Sequence, residues 1–101
     1  MAPAAFSTEG RIITSLAALH MSRKEFVGIC RSLNIPISET LVSSALSGKR
    51  TFTQLTGINL LNVMEELTAL RDHHGVELNW SSNETIATLL VQRRMQLAMT
   101  A

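Results

Sequence analysis

The feature that most constrains this chain is the break at Asn34-Ile35-Pro36, set between two stretches that each carry helix start and stop signals. Pro36 has no amide hydrogen and presses Ile35 toward an extended conformation, so no helix runs through this point. Upstream, Ser22 and Glu25 have the S-x-x-E spacing of a capping box, in which each side chain satisfies a free backbone N–H of the first helical turn. The spacing predicts a helix from Ser22 to Leu33 or Asn34, with Phe26, Ile29, Cys30 and Leu33 on one face and Val27 flanking it. Asn34 enters the left-handed region more cheaply than most residues and suits a helix end. Downstream, Ser38 can cap a second helix, Glu39 to about Ser47, whose inner residues are Leu41, Val42, Ala45 and Leu46; Gly48 then stands where a helix C-terminus favours glycine. Gly28, inside the first of these helices, costs about 1 kcal/mol relative to Ala. Either a close helix–helix contact or simple tolerance accounts for it.

The rest of the chain is what would bury the backs of these two helices. At 101 residues it is long enough for one domain with a thin core. Its aromatic residues are Phe6, Phe26, Phe52 and Trp80 alone, so the core must be aliphatic. Ser7 or Thr8 can cap a first helix running to about His20, with Ile12, Ile13, Leu16, Ala17 and Leu19 forming its stripe and Glu9 suiting the dipole of its first turn. Thr53 can cap a long helix to His73 or His74, ended by Gly75. Its expected stripe is Leu55, Ile58, Leu61, Met64 or Glu65, then Leu67 or Thr68, widened by Leu60, Val63 and Leu70. Val76 to Ser82 is a connector with alternating Val76, Leu78 and Trp80, compatible with a short extended piece. Ser81 and Glu84 have capping-box spacing before a last helix, about Ser82 to Leu97. The expected organisation is therefore a mobile lead at 1–6, a core at 7–75, and a connector with C-terminal helix at 76–101. The class is all-α, five short helices around one core.

Charge is uneven. Five basic residues against two acidic ones give the segment 23–50 a net charge of +3, whereas 51–101 has three against five, or −2, in a chain whose total is +1. Arg23 and Lys24 open the first helix of the pair, and Lys49 and Arg50 leave the second. A helix-turn-helix needs apolar inner faces, a clean break between its helices, and donors at its rim to hold phosphates, and this stretch has all three.

The same residues resemble the lambda-repressor-like, or Xre-type, helix-turn-helix family. The phrase that carries the likeness is Val42-Ser43-Ser44-Ala45-Leu46-Ser47-Gly48-Lys49-Arg50, followed by Thr53-Gln54-Leu55 opening the next helix, and the likeness covers about Arg11 to Gly75. It implies a five-helix bundle of that type and a small phage, plasmid or bacterial regulator. The activity implied is sequence-specific binding of double-stranded DNA as a transcriptional regulator, with repression the expected direction, though the residues themselves do not distinguish a repressor from an activator. The DNA-facing residues would be Arg23, Lys24, Ser38, Glu39, Thr40, Ser43, Ser44, Ser47, Lys49 and Arg50. Two departures stand out. Pro36 occupies the position where the family has a turn glycine, with the turn longer by about two residues and Asn34 in the glycine's role. The outer face of the second helix also has no Arg, Asn or Gln, the side chains that make bidentate contacts to guanine and adenine.

The last helix is more apolar than a short terminal helix needs. Either it packs on its own core or it forms a homodimer through Ile86, Leu89, Leu90, Arg93, Arg94 and Leu97, which would set two reading helices about 34 Å apart, one DNA turn. Trp80 is read as a plug under the connector, with an interface anchor as the other option. The alternative to DNA binding is a small phage or plasmid inhibitor of a host or defence protein on the same scaffold, or an antitoxin that combines both activities. No cofactor, metal or membrane partner is expected. His73 and His74 are adjacent and diverge, with a role at their helix's C-terminus, Glu65 and Glu66 also diverge, Gly48-Lys49 lacks the rest of a phosphate-binding loop, and no run of 18 apolar residues exists. Nothing points to an enzyme. Cys30, the single cysteine, is expected to be an inert core thiol, and the chain to be cytoplasmic, since its first ten residues lack the pattern of a signal peptide.

Overall fold

The computed structural model describes residues 3–74 and 78–100. They form five helices, α1 (Thr8–Leu19), α2 (Arg23–Ser32), α3 (Glu39–Leu46), α4 (Gln54–His74) and α5 (Asn83–Thr100), with no strand among the described residues. The radius of gyration is 13.4 Å, the size of a single packed domain of this length. Helix α1 packs on α4 and α3, α2 packs on α3 and α5, and α4 also meets α5. Among the described residues no helix is long and apolar enough to cross a membrane.

The helix ends are closed largely by local chemistry. Ser7, Ser22 and Ser38 are the N-caps of α1, α2 and α3, accepting from the amides of Gly10, Glu25 and Leu41 at 3.0, 3.1 and 3.1 Å. The Ser22–Glu25 capping box is complete, with the Ser22 amide donating to Glu25 Oε1 at 2.9 Å. Three helices end in the same paired arrangement, in which the amides of two successive residues beyond the helix reach back to carbonyls of its last turn. His20 and Met21 bond Ala17 and Leu16 after α1, Asn34 and Ile35 bond Arg31 and Cys30 after α2, and Gly48 and Lys49 bond Ala45 and Ser44 after α3. Each needs a left-handed residue, and His20, Asn34 and Gly48 have φ of 52°, 63° and 85°. Asn34 and Gly48 were expected there. His20 was not, because nothing in its immediate neighbours distinguishes it from a helical residue. The remaining carbonyls of α1 are met from a distance: Arg71 Nη1 donates to Ala18 O at 2.9 Å, and Trp80 Nε1 donates to Leu19 O at 2.8 Å. Trp80 is buried and is therefore a plug.

The core is centred on Ile12, Phe26, Ile29, Cys30, Val42, Leu60, Val63, Met64, Leu67, Ile86 and Leu90. Gly28 lies at a close approach of α2 to α5, where an added Cβ would meet the Asn83 side chain. A larger residue here would displace the Asn83 side chain.

Four expectations need correction. The inner stripe of α4 is Gly57, Leu60, Val63, Met64, Leu67 and Leu70, whereas Leu55 and Ile58 are 71% and 49% exposed. Apolar residues surround α4, so periodicity alone could not choose the arc; the packing of α4 on α1 and α5 chooses it, with room for only a small residue at Gly57 beside Thr8. The Ser81–Glu84 box does not form, since the Ser81 hydroxyl and amide both donate to Asn79 Oδ1 and the helix begins one residue later than that box requires. Leu78 and Asn79 are irregular and Trp80–Ser81 is a turn, so no extended piece is present in the described part of the connector. Finally, α5 runs to Thr100, three residues past its expected end. The stop assigned to Gly75 lies outside the described residues.

Candidate nucleic-acid interface

The interface expected from the sequence is built on α2, the link Leu33–Ser38 and α3. The two helices share a buried inner side: Phe26, Val27, Ile29 and Cys30 from α2 meet the same core as Val42, Ala45 and Leu46 from α3, with Leu33, Ile35 and Leu41 half-buried around them. Burial of Ile37 at 7% exposure anchors the middle of the link, and its amide bonds Ile35 O at 2.9 Å across Pro36, a tight three-residue turn. With the inner side committed, the outer side of α3 is presented to solvent.

Of the residues expected on that outer side, Ser38, Glu39, Thr40, Ser43 and Ser47 are exposed and Ser44 is half-buried. Two of them also serve the backbone. Ser38 Oγ caps α3, and the Ser47 hydroxyl donates to Ser44 O at 3.1 Å. Glu39, Thr40 and Ser43 therefore carry most of the free hydrogen-bonding capacity of the face. Just past it, Lys49 and Arg50 are exposed, and the direction of the chain there is set by the Lys49 amide bonding back to Ser44 O at 3.0 Å. Arg23 and Lys24 are exposed at the far end of α2, ten helical residues or about 15 Å of rise from the link. Arg31 is also exposed, on the last turn of α2, and borders a shallow groove of about 610 Å³ with Asn34, Pro36, Ser38 and Leu41. From the sequence it counted only toward the basic charge of the segment, since its spacing four residues after the buried Val27 gave no sign of exposure. None of these five basic side chains pairs with a carboxylate among the described residues.

One partner of this region comes from far away in the chain. Glu9, 7% exposed in the first turn of α1, accepts from the buried Phe52 amide at 2.9 Å. The loop that carries Lys49 and Arg50 is thereby fastened to α1. From the sequence, Glu9 had only a dipole role. Cys30 lies 0% exposed on the inner side of α2, and burial pushes its thiol pKa up to about 12.

Of the residues assigned to a dimer face, most are engaged within the chain itself. Ile86 and Leu90 are 1% and 0% exposed and belong to the core, and Leu89 is half-buried against it. Arg94 is held by Glu66 of α4, with Nε and Nη2 at 2.6 and 2.7 Å from its two carboxylate oxygens, and Arg93 is half-buried. Of that set only Leu97, 52% exposed, is both exposed and outside an ion pair. The physical reason is that α5 covers α2 and α4 with the arc that the sequence offered to a second copy. His73 and His74 stand edge to face with ring centroids 6.2 Å apart. No three His, Cys, Asp or Glu side chains come together as a metal set among the described residues.

Comparison of the chain with protein-family models, curated proteins and solved structures finds no match.

Proposed function

We propose that this chain is a sequence-specific, double-stranded-DNA-binding transcriptional regulator of the lambda-repressor-like kind, a repressor acting as a homodimer with α3 as the element offered to the major groove. The observation that carries this reading is the arrangement of exposed, uncommitted basic residues around α3. Lys49 and Arg50 follow its cap, Arg31 precedes the link, and Arg23 and Lys24 open α2. Phosphate contacts of this kind fix the register and supply most of the affinity, while bases are discriminated by what α3 presents. Glu39 is suited to a cytosine amino group, and Thr40 and Ser43 to weaker contacts, so discrimination is expected to be modest and to lean on duplex shape.

Fluorescence anisotropy with labelled duplexes at several salt concentrations tests the reading. Lys49→Ala combined with Arg50→Ala should weaken binding to all sequences alike and reduce the slope of log affinity against log salt by about 2. A purified protein that enriches no duplex from a random pool at low salt would overturn it.

A second reading is a protein-binding module, an inhibitor or antitoxin on the same scaffold. What favours it is the absence of Arg, Asn and Gln from the α3 face, which leaves Glu39, Thr40 and Ser43 as the exposed polar groups not already bonded to the backbone. A stoichiometric partner retained after nuclease treatment, and lost in Glu39→Arg with Lys49 and Arg50 intact, would favour it over DNA binding.

A further inference from the structure

Two adjacent arginines of α5 stand in opposite circumstances. Arg94 is spent on Glu66, with two bonds to its carboxylate. Arg93 is half-buried and has no ion pair among the described residues. It lines a groove of about 520 Å³ between the last turns of α4 and the second half of α5, a size within the range of small-molecule sites. The α4 wall is Leu70, His73 and His74, three and four residues apart on one face. The α5 wall repeats that spacing with Leu89, Gln92, Arg93, Gln96 and Leu97. Although neighbours in the chain, His73 and His74 both reach this groove, with their rings edge to face. Every polar side chain on the walls can donate a hydrogen bond, and no carboxylate lines it. These donors are uncommitted. Among the described residues, the side-chain hydrogen bonds donated from α5 come from Thr88, Arg94 and Thr100, and those from the second half of α4 come from Thr68 and Arg71. The groove between α2 and α5 differs in being bordered by Glu84, and the one between α1 and α4 by Glu65 and Asp72.

We propose that this groove binds a small organic anion, a carboxylate or phosphate head on an apolar body. The guanidinium of Arg93 decides the sign of the charge. Partial burial strips water from a cation and leaves it in need of a counterion, which the described walls do not supply. Its planar fork meets two oxygens of a carboxylate or phosphate with parallel bonds. The head belongs on the α5 side, at Arg93, because α4 brings the negative end of its dipole to the opposite wall. Gln92 and Gln96, one helical turn apart beside Arg93, can donate to the same head, and so can the imidazole N–H groups of His73 and His74 from across the groove. The body then lies along Leu70, Leu89 and Leu97, which an inorganic ion would leave uncovered. An ammonium-bearing ligand would meet donors alone. None of these residues belongs to the α3 face, so the assignment does not rest on DNA binding.

Proton–carbon NMR of the imidazole rings in the full chain tests it, with sodium octanoate, octyl phosphate and octylammonium as probes. The chain has three histidines, and His20 is not on the walls of the groove, so it serves as an internal reference. The His73 and His74 signals should shift saturably with octanoate or octyl phosphate, the tighter of the two naming the head group. Octylammonium should produce no saturable shift, and His20 should stay in place with all three. Arg93→Gln should weaken binding about 10- to 100-fold, the loss of a charge-assisted bond, and Arg93→Lys, which keeps the charge, should lose less. Lys24→Gln, which removes a charge from an exposed position of α2, should leave the affinity unchanged. Circular dichroism of Arg93→Gln separates loss of binding from loss of fold; if that variant does not fold, the contrast between octanoate and octylammonium on the wild-type chain decides alone. No saturable shift, an equal response to octylammonium, equal movement of His20, or equal weakening in Arg93→Gln and Lys24→Gln would each overturn the site. So would shifts produced by a DNA duplex and by neither anion. Because the probes are titrated without DNA, failure here leaves the duplex measurements on Lys49 and Arg50 to be judged separately.

Discussion

The α2–α3 pair and α5 put similar apolar content to different uses. In the pair, the inner positions are consumed by one core, and the ends are closed by side chains or turn residues within a few positions: Ser22 with Glu25, Asn34, Ser38 and Gly48. In α5, apolar residues continue past the point where the core ends, and the helix is steadied there by one ion pair, Arg94 to Glu66. The contrast separates two jobs of a hydrophobic pattern. Where local caps and inner face agree, the pattern specifies a fold; where the pattern outlasts the body it packs on, it specifies a surface.

The sharpest way to break this contrast is to truncate one residue on each side of the boundary in α5. Leu90→Ala, at a fully buried position, should cost about 2–5 kcal/mol in urea denaturation of the dilute monomer. Met95→Ala, five residues on, should stay within about 0.5 kcal/mol under the same conditions. Equal losses would mean that the second half of α5 is part of the core after all. A second test uses Cys30, on the inner side of α2. Burial holds its thiol protonated in the folded chain up to about 12, whereas an exposed thiol titrates at about 9.0. Above pH 9 the unfolded chain therefore binds fewer protons than the folded one, so stability that is fully present below pH 9 should decline toward pH 12, with a slope of up to about 1 kcal/mol per pH unit from this group. The Cys30→Ala variant, though less stable throughout, should lack that component, and parallel pH profiles for the two proteins would remove it. A smaller effect is expected at the link. Asn34→Ala should cost about 1 kcal/mol in thermal or urea unfolding, because φ of 63° is strained for Ala, and Asn34→Gly should cost less or nothing.

The same contrast explains what was legible in the sequence. The break at Pro36, the caps at Ser22 and Ser38, the turn residues Asn34 and Gly48 and the inner faces of α2 and α3 could be found because each depends on neighbours within one or two helical turns. What escaped depends on partners remote in the chain. The arc that α4 buries was misassigned because Leu55, Ile58 and Leu61 offer as good a period as Leu60, Val63 and Leu67, and only the approach of α1 decides between them. Ile86 and Leu90 were placed on a dimer face for the same reason: an apolar arc does not say whose surface covers it. At the α3 face, the exposed positions were legible from helical spacing, but Ser38 and Ser47 also serve the backbone, which reduces the capacity left for a ligand. That Arg31 stands open at the link became visible only once the helices were placed.

The bond from the Phe52 amide to Glu9 has one more consequence. It closes a loop of more than 40 residues between the first turn of α1 and the basic tip beyond α3, so that tip acquires its support only after α1 has docked. An excised peptide spanning Ser22 to Arg50 should therefore be a poor transplant: it would keep its local caps but have no clasp for the loop that follows Lys49 and Arg50. The α2–α3 stretch is in this sense not a cassette but one arm of a joint whose pin sits in the first turn of α1.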